Sequence, residues 1–240
     1  MNFVFDVDGT LCFDGKTIDA AIIDALTNLQ EAGHEILFAS ARPIRDLVPV
    51  LPVTFRNGKL VGGNGCFVAE SGNITTQYFE QELVEKLHTI TKNHQLAYLA
   101  DGEWDFAFTG DTAHPIYQNI DQTSAKNCAF HDLEKICKLV LFAPTNDVLQ
   151  ELKHLPLAIT PYKKENAIDL SPLGINKVAG LHQLGITDFI AFGNDQNDQC
   201  LFEQARYSFC VGTHEVGAYA SHRITQAEVA AAIYSSAHSK

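Results

Sequence analysis

The first ten residues constrain this chain more than any other stretch. An apolar run, Phe3-Val4-Phe5, ends abruptly in Asp6-Val7-Asp8-Gly9-Thr10. Residues 2–7 read as a short buried strand, and in an extended segment the side chains at i and i+2 share a face. Asp6 and Asp8 therefore sit side by side just beyond an apolar strand. Two carboxylates there repel each other and are costly unless a cation or a proton neutralises them. The segment is either a solvated pair in a turn or the seat of a divalent metal and a nucleophile. Gly9 permits the sharp turn, and Thr10 can position an anionic ligand.

This strand opens a strand–helix–strand unit. Thr17 or Asp19 can start a helix whose apolar side carries Ile22, Ile23, Leu26 and Leu29, and Gly33 comes just after its end. A second strand runs over about 35–40 and ends in Ser40-Ala41-Arg42. The connection is long enough for parallel pairing. From 50 to 76 short Val-rich and aromatic segments alternate with turns. Beyond them the sequence predicts a helix over 80–93, two strands within 96–108 and a strand at the end of 131–144. A helix over 146–154 and a strand near 166–170 complete this mixed region. Parallel-type signals then resume with NKVAGLHQLG, DFIAFGNDQND, YSFCVG and a terminal helix, EVAAAIYSSA. The expected fold is α/β: a Rossmann-like three-layer core with a parallel sheet, built from residues 1–75 and 166–240, and an inserted mixed α/β cap over 76–165.

Three strand ends carry polar chemistry. Ser40 can donate to an anion, although strand-end serines commonly satisfy backbone groups instead, and Arg42 can supply either charge for a ligand or an ion pair. FGNDQND places Asn194, Asp195, Asn197 and Asp198 directly after a strand, either as a capping turn or as ligands. Lys177, at the start of a helix, is either a solvated surface residue or the cation that the acids demand. Converging at the carboxyl edge of a parallel sheet, these loops would form a ligand site. So oxygen-rich a set suits Mg²⁺ better than zinc, which usually recruits His or Cys.

The combination resembles the haloacid dehalogenase-like phosphohydrolases, and within them the Cof-type phosphatases with an inserted α/β cap. DVDGT matches the first motif, SAR the second, Lys177 the third and GNDQND the fourth; the GGNG segment around Asn64 resembles a loop near the phosphate. The resemblance implies Asp6 as phosphoryl acceptor and Asp8 as acid/base. It implies Ser40, Ala41, Asn64 and Lys177 as phosphate contacts, and Asp6, Asp8, Asn194, Asp195 and Asp198 as the metal set. One departure stands out: the family pattern is GD-x-x-ND, and here Asn194 occupies the first acid's place. Either its amide oxygen serves, or Asp195 compensates. Arg42, Trp104 and Lys164 are candidate readers of the leaving group, although aromatic packing and plain solvation explain the last two more readily. The implied reaction is Mg²⁺-dependent hydrolysis of small phosphorylated metabolites, such as sugar phosphates or pyridoxal phosphate, through an aspartyl-phosphate. A sugar phosphomutase and a noncatalytic phosphometabolite sensor are the alternatives.

Composition narrows the partners. Acidic residues outnumber basic ones 29 to 17, a net charge of −12 that disfavours nonspecific attraction to nucleic acid or an anionic membrane. The six cysteines form no C-x-x-C pair and read as separate thiols. The ten histidines, His238 among them, are scattered without a metal-ligand spacing, and neither a G-x-G-x-x-G nor a Walker loop is present. With no basic leader and no apolar run of 18 residues, a cytoplasmic protein is expected. It is expected to be a monomer or a homodimer.

Overall fold

The computed structural model describes residues 1–237, so His238 and the last two positions of the expected second core segment lie outside the described residues. The chain opens with strand β1 (Asn2–Phe5), helix α1 (Ala20–Glu31), strand β2 (Glu35–Ala39), helix α2 (Ile44–Leu47) and strands β3 (Lys59–Gly62), β4 (Phe67–Glu70) and β5 (Asn73–Thr76). It continues through α3 (Gln81–Asn93), β6 (Tyr98–Asp101), β7 (Phe106–Phe108), α4 (Pro115–Gln118), β8 (Lys138–Phe142), α5 (Asn146–Leu152), β9 (Leu157–Tyr162) and β10 (Ala167–Pro172). It ends with α6 (Lys177–Gln183), β11 (Phe189–Gly193), α7 (Gln199–Gln204), β12 (Tyr207–Val211), β13 (His222–Ile224) and α8 (Val229–Ser236).

Two compact units result: Met1–Thr75 with the segment from Asn176 onward, and Thr76–Ile175. The first holds an eight-stranded sheet in the order β13-β12-β11-β1-β2-β3-β4-β5. Pairing is parallel from β13 to β3 and turns antiparallel at β3–β4. Residue alternation along β1 builds the layers. Val4 packs with Leu37, Val61 and Ala191 against Val178 and Leu181 of α6 and Leu201 and Phe202 of α7. Phe3 and Phe5 point the other way. There Phe5 stacks 4.9 Å from Phe192, while Phe3 meets His34, which closes α1 onto the end of α8 through a 3.1 Å contact with the Ala237 carbonyl. With α1 packed on α8, these are the three layers of an α/β fold.

The second unit carries an antiparallel sheet, β7-β6-β8-β10-β9. One face buries Ala100, Leu139, Leu141 and Leu170 under Leu83, Leu87 and Ile90 of α3 and Val148 of α5. The other face buries Leu99, Phe106, Phe108 and Val140, together with an ion pair of Lys138 and Asp169 at 2.8 Å. Here the expected domain limits need correction. β10 pairs with β8 and β9 rather than joining the parallel sheet, so the chain returns to the first unit at Asn176, ten residues beyond the expected 166. The segment Ala167–Leu170, Asp169 included, is buried like a core strand, and burial alone does not say which sheet owns it. Among the described residues no helix is long and apolar enough to cross a membrane.

Candidate active site

Strand register places the three acidic or polar loops together. Phe5 pairs with both Phe38 and Phe192, so the loops after β1, β2 and β11 leave the sheet at the same carboxyl edge. The Asp6 N–H still donates to the Phe192 carbonyl at 2.9 Å, which fixes the first carboxylate at that edge.

Lys177 sits at the centre. Its Nζ donates to Asp6 Oδ1 at 2.7 Å and to Asp198 Oδ1 at 2.6 Å, and the side chain is fully buried. Burial works against the ammonium, but the charges of Asp198 and Asp6 outweigh it and hold the proton more tightly than on an ordinary lysine. Burial also pushes Asp6 up to about 7, with Asp198 and Asp8 adding to the rise and Lys177 opposing it. The other oxygen of Asp6 accepts from Thr10 Oγ1 at 2.8 Å.

Asp198 is fully engaged. Beyond Lys177, its Oδ2 accepts from the N–H groups of Asn194 at 2.8 Å and Asp195 at 3.1 Å, so it ties the fourth-motif loop to the lysine. Asp195 faces elsewhere: its Oδ1 accepts from Gln196 N at 2.7 Å and lies 3.2 Å from His214 Nε2. The Asn194 amide turns inward. Its inner atom lies 3.0 Å from the Asp8 main-chain oxygen, 3.1 Å from Asp6 Oδ2 and 3.2 Å from Thr10 Oγ1.

Asp8 belongs to a second pair. Arg42 grips it two-pronged, Nε to Oδ2 at 2.7 Å and Nη2 to Oδ1 at 2.5 Å, and Nη2 also donates to the Gly15 carbonyl at 2.8 Å. Ser40 is buried beside it, its Oγ accepting from Arg42 N at 3.1 Å, with Ala41 between the two. Asn64 adopts a left-handed φ of 56° in the β3–β4 turn. Its N–H donates to the Ser40 carbonyl at 2.9 Å, and its Oδ1 accepts from Asn197 Nδ2 at 3.0 Å.

A metal can be tested against these donors. Among the described residues no three His, Cys, Asp or Glu side chains are placed to hold one, so the five-residue set Asp6, Asp8, Asn194, Asp195 and Asp198 does not converge as a unit. The atoms that do converge are Asp6 Oδ2, the Asp8 carbonyl and the Asn194 amide. All can present oxygen, and separations of 3.0 and 3.1 Å match the edge of about 2.9 Å expected between neighbouring ligands of octahedral Mg²⁺. The residues fit a hard divalent cation. Three carboxylates, Asp6, Asp8 and Asp198, face two cations, Lys177 and Arg42, which leaves negative charge for it to offset.

A family profile, haloacid dehalogenase-like hydrolase, matches residues 3–235. The chain belongs to this family. As a member it is an HAD-type phosphohydrolase. It is 28% identical over 232 residues to the HMP-PP phosphatase of Yersinia enterocolitica, covering 87% of this chain and 82% of that protein. Among solved structures, the HAD subclass IIB sugar phosphatase BT4131 superposes with a TM-score of 0.81 at 18% identity, covering 97% of each chain. The phosphatase BT1666 of Bacteroides thetaiotaomicron gives 0.80 at 17%, covering 99% of this chain and 94% of that one.

Within this hydrolase the first unit gathers the sequence candidates except Trp104 and Lys164, which lie in the second unit. Trp104 is 39% exposed and its indole N–H donates to the Ser124 carbonyl at 2.9 Å; Lys164 is exposed. Arg42 is only 8% exposed, its guanidinium occupied by Asp8 and Gly15. Asn197, one of the fourth-motif residues, links that loop to Asn64. One participant escaped the sequence: His214 braces Asp195. The signal for His214 was its place just after a strand end, Val211, on the same edge.

Proposed function

We propose that this hydrolase is a Mg²⁺-dependent phosphomonoesterase that releases phosphate from small phosphorylated metabolites through a phosphoryl group carried on Asp6. The observation that carries the reading is the placement of Asp6. One oxygen is held by a buried lysine and the other by Thr10, and the partly exposed Asp8 stands two residues away. A nucleophilic carboxylate has to be desolvated without losing its charge; burial supplies the first and Lys177 supports the second.

The chemistry divides into two displacements. Asp6 attacks phosphorus, forming a new P–O bond as the ester P–O bond breaks, and Asp8 in its acid form gives its proton to the departing alcohol. Water then attacks the phosphoryl group, Asp8 takes that water's proton, and Asp6 is restored as phosphate leaves. Arg42 fixes the orientation of the Asp8 carboxylate for the second displacement. Lys177 balances the negative charge on Asp6 and the phosphoryl oxygens. Ser40, the Ala41 main chain and Asn64 are assigned to the phosphate. Mg²⁺, held by Asp6, Asn194 and the Asp8 carbonyl, would supply the charge that admits a dianion to a negative site and polarises the bond to be broken.

Selection of the leaving group is assigned to the second unit as a cap, with Trp104 and Lys164 as candidates. Support for a small organic leaving group comes from the relatives, one named for HMP-PP and one for sugar phosphate. A panel of sugar phosphates, pyridoxal phosphate and other small monoesters, assayed for inorganic phosphate with Mg²⁺ and with a chelator, tests the reading. Chelator-sensitive release of free phosphate is expected. Retention of the phosphate on an isomerised sugar, or no turnover across the panel, would overturn it.

A further inference from the structure

We infer that the Asn194 side-chain amide is a two-way element, its nitrogen turned into the site when no cation is bound and its oxygen turned in when one is. The inference rests on the metal-dependent reading above and concerns the one position where this chain departs from the acid usual in the fourth motif.

The supply of protons decides which way the amide faces. Three oxygens surround its inner atom: the Asp8 carbonyl at 3.0 Å, Asp6 Oδ2 at 3.1 Å and Thr10 Oγ1 at 3.2 Å. The first is an acceptor only, and so is the second when Asp6 is ionised. The Thr10 hydroxyl has a single proton, which it gives to Asp6 Oδ2 at 2.8 Å. With Asp6 ionised, an amide oxygen facing this set meets oxygens with no proton to spare for it, a repulsive contact unless a cation lies among them. An amide nitrogen brings two N–H donors to the same place and hydrogen-bonds the set directly. The NH₂ group thus does without a metal part of what the metal does when present.

Exchange needs rotation about one side-chain bond and room for it. Gly9 supplies the room. Its φ of +79° suits a residue without Cβ, and a Cβ there would collide with the Asn194 amide. Asp195, the other candidate for the missing charge, is held away by Gln196 and His214. The cost of the arrangement falls on metal affinity. Binding a cation must break the amide's inward hydrogen bonds and then offers it a neutral oxygen in place of a carboxylate. The gain is a metal-free site in which no further buried carboxylate stands uncompensated.

The test uses the full chain stripped of metal with a chelator, as parent, Asn194→Asp and Asn194→Ala. Mg²⁺ binding is tracked by titration calorimetry, stability by thermal unfolding, and the Asn194 side-chain amide by ¹⁵N NMR, its resonance identified by its absence in the variants. Mg²⁺ should bind Asn194→Asp roughly ten-fold or more tightly than the parent, since a carboxylate adds charge and has no donors to displace. Both variants should melt lower than the parent without metal, and only Asn194→Asp should recover fully with Mg²⁺. In the parent, the amide protons should be protected from solvent exchange without metal and lose protection at saturation. An amide signal unmoved while Mg²⁺ binds would overturn the inference, as would Asn194→Asp and Asn194→Ala melting like the parent without metal. Mg²⁺ binding with the amide response but no phosphate release from any ester would sustain this inference and sink the phosphatase reading. Absence of Mg²⁺ binding would sink both.

Discussion

Lys177 shows how one residue sets the electrostatics of the site. A fully buried ammonium is tolerable only because two carboxylates meet it at 2.7 and 2.6 Å, and their charge is in turn balanced by it. Asp6→Asn removes the proposed nucleophile but keeps the shape, so turnover should vanish while the protein remains folded. Its stability should also respond to pH differently. The folded value of Asp6, about 7, lies above its unfolded value, so the metal-free parent has that stabilisation at acid pH and loses it as pH rises through 7. Asp6→Asn should lack this decline, and melting curves of the two proteins from pH 5 to pH 8 without metal would reveal it. Arg42→Lys tests the neighbouring pair. Lysine is a point charge and cannot reproduce the two-pronged grip on Asp8. kcat should fall by roughly ten- to hundred-fold, a part of the 10²–10⁴ that a positioned acid/base contributes. KM for a generic phosphate ester should hardly move; a change in KM or in substrate preference alone would instead make Arg42 a reader of the leaving group. That Asp6, Asp8 and Asp198 gather at one sheet edge was legible because carboxylates directly after apolar strands are expensive, whereas Asp195, expected among them, turns to Gln196 and His214. The Arg42–Asp8 pairing and the brace from His214 were not legible, since sequence records a residue's charge and not which partner across the fold receives it.

At the scale of elements, α3 and β6 to β8 illustrate what periodicity can and cannot say. The helix expected over 80–93 spans Gln81–Asn93, with Leu83, Leu87 and Ile90 on one buried face. The two strands within 96–108 pair with Ala100 opposite Ala107. β9 escaped notice because Pro161 interrupts it, and proline is acceptable there only because β9 is the edge of its sheet. β13 reads His-Arg-Ile, with little to mark it as a strand, and is likewise an edge. The element α3 also carries a pH response. His88 stacks 4.5 Å from Phe130 and meets His131 edge-on at 4.4 Å. Burial, then the charges of His131 and Lys92, hold it below the ordinary imidazole value. The unfolded chain therefore takes up the proton first, so the stability contributed by neutral His88 is intact above about pH 6.5 and drains away below it. His88→Gln should narrow the loss of stability between pH 7 and pH 5 relative to the parent. Chemical unfolding at both pH values measures the difference, and equal losses in the two proteins would show that His88 titrates as freely when folded.

The whole molecule divides its labour along the chain. The segments Met1–Thr75 and Asn176 onward hold Asp6, Lys177 and the fourth-motif loop, whereas Thr76–Ile175 interrupts them with an independent antiparallel sheet and its own two-faced core. An insertion with a complete core can diverge without disturbing the strand-end carboxylates, so the proposed division between chemistry and selection can be tested by mutation. Trp104 is the better probe of selection: an aromatic side chain 39% exposed and anchored through its N–H to Ser124 is rigid, large and still accessible. Lys164 offers an exposed charge on the same unit. Trp104→Ala and Lys164→Ala should each change kcat/KM unequally among sugar phosphates, pyridoxal phosphate and other small monoesters. Each should leave hydrolysis of a small generic ester such as p-nitrophenyl phosphate within about three-fold of the parent, because a pocket contact is worth about 1–3 kcal/mol only to the substrate that makes it. Burial argues the same way for stability: neither side chain belongs to the buried clusters, so melting temperatures should stay close to the parent's. A uniform loss across all substrates would place these residues in folding or closure, and unchanged ratios would remove them from selection and return the question to the first unit.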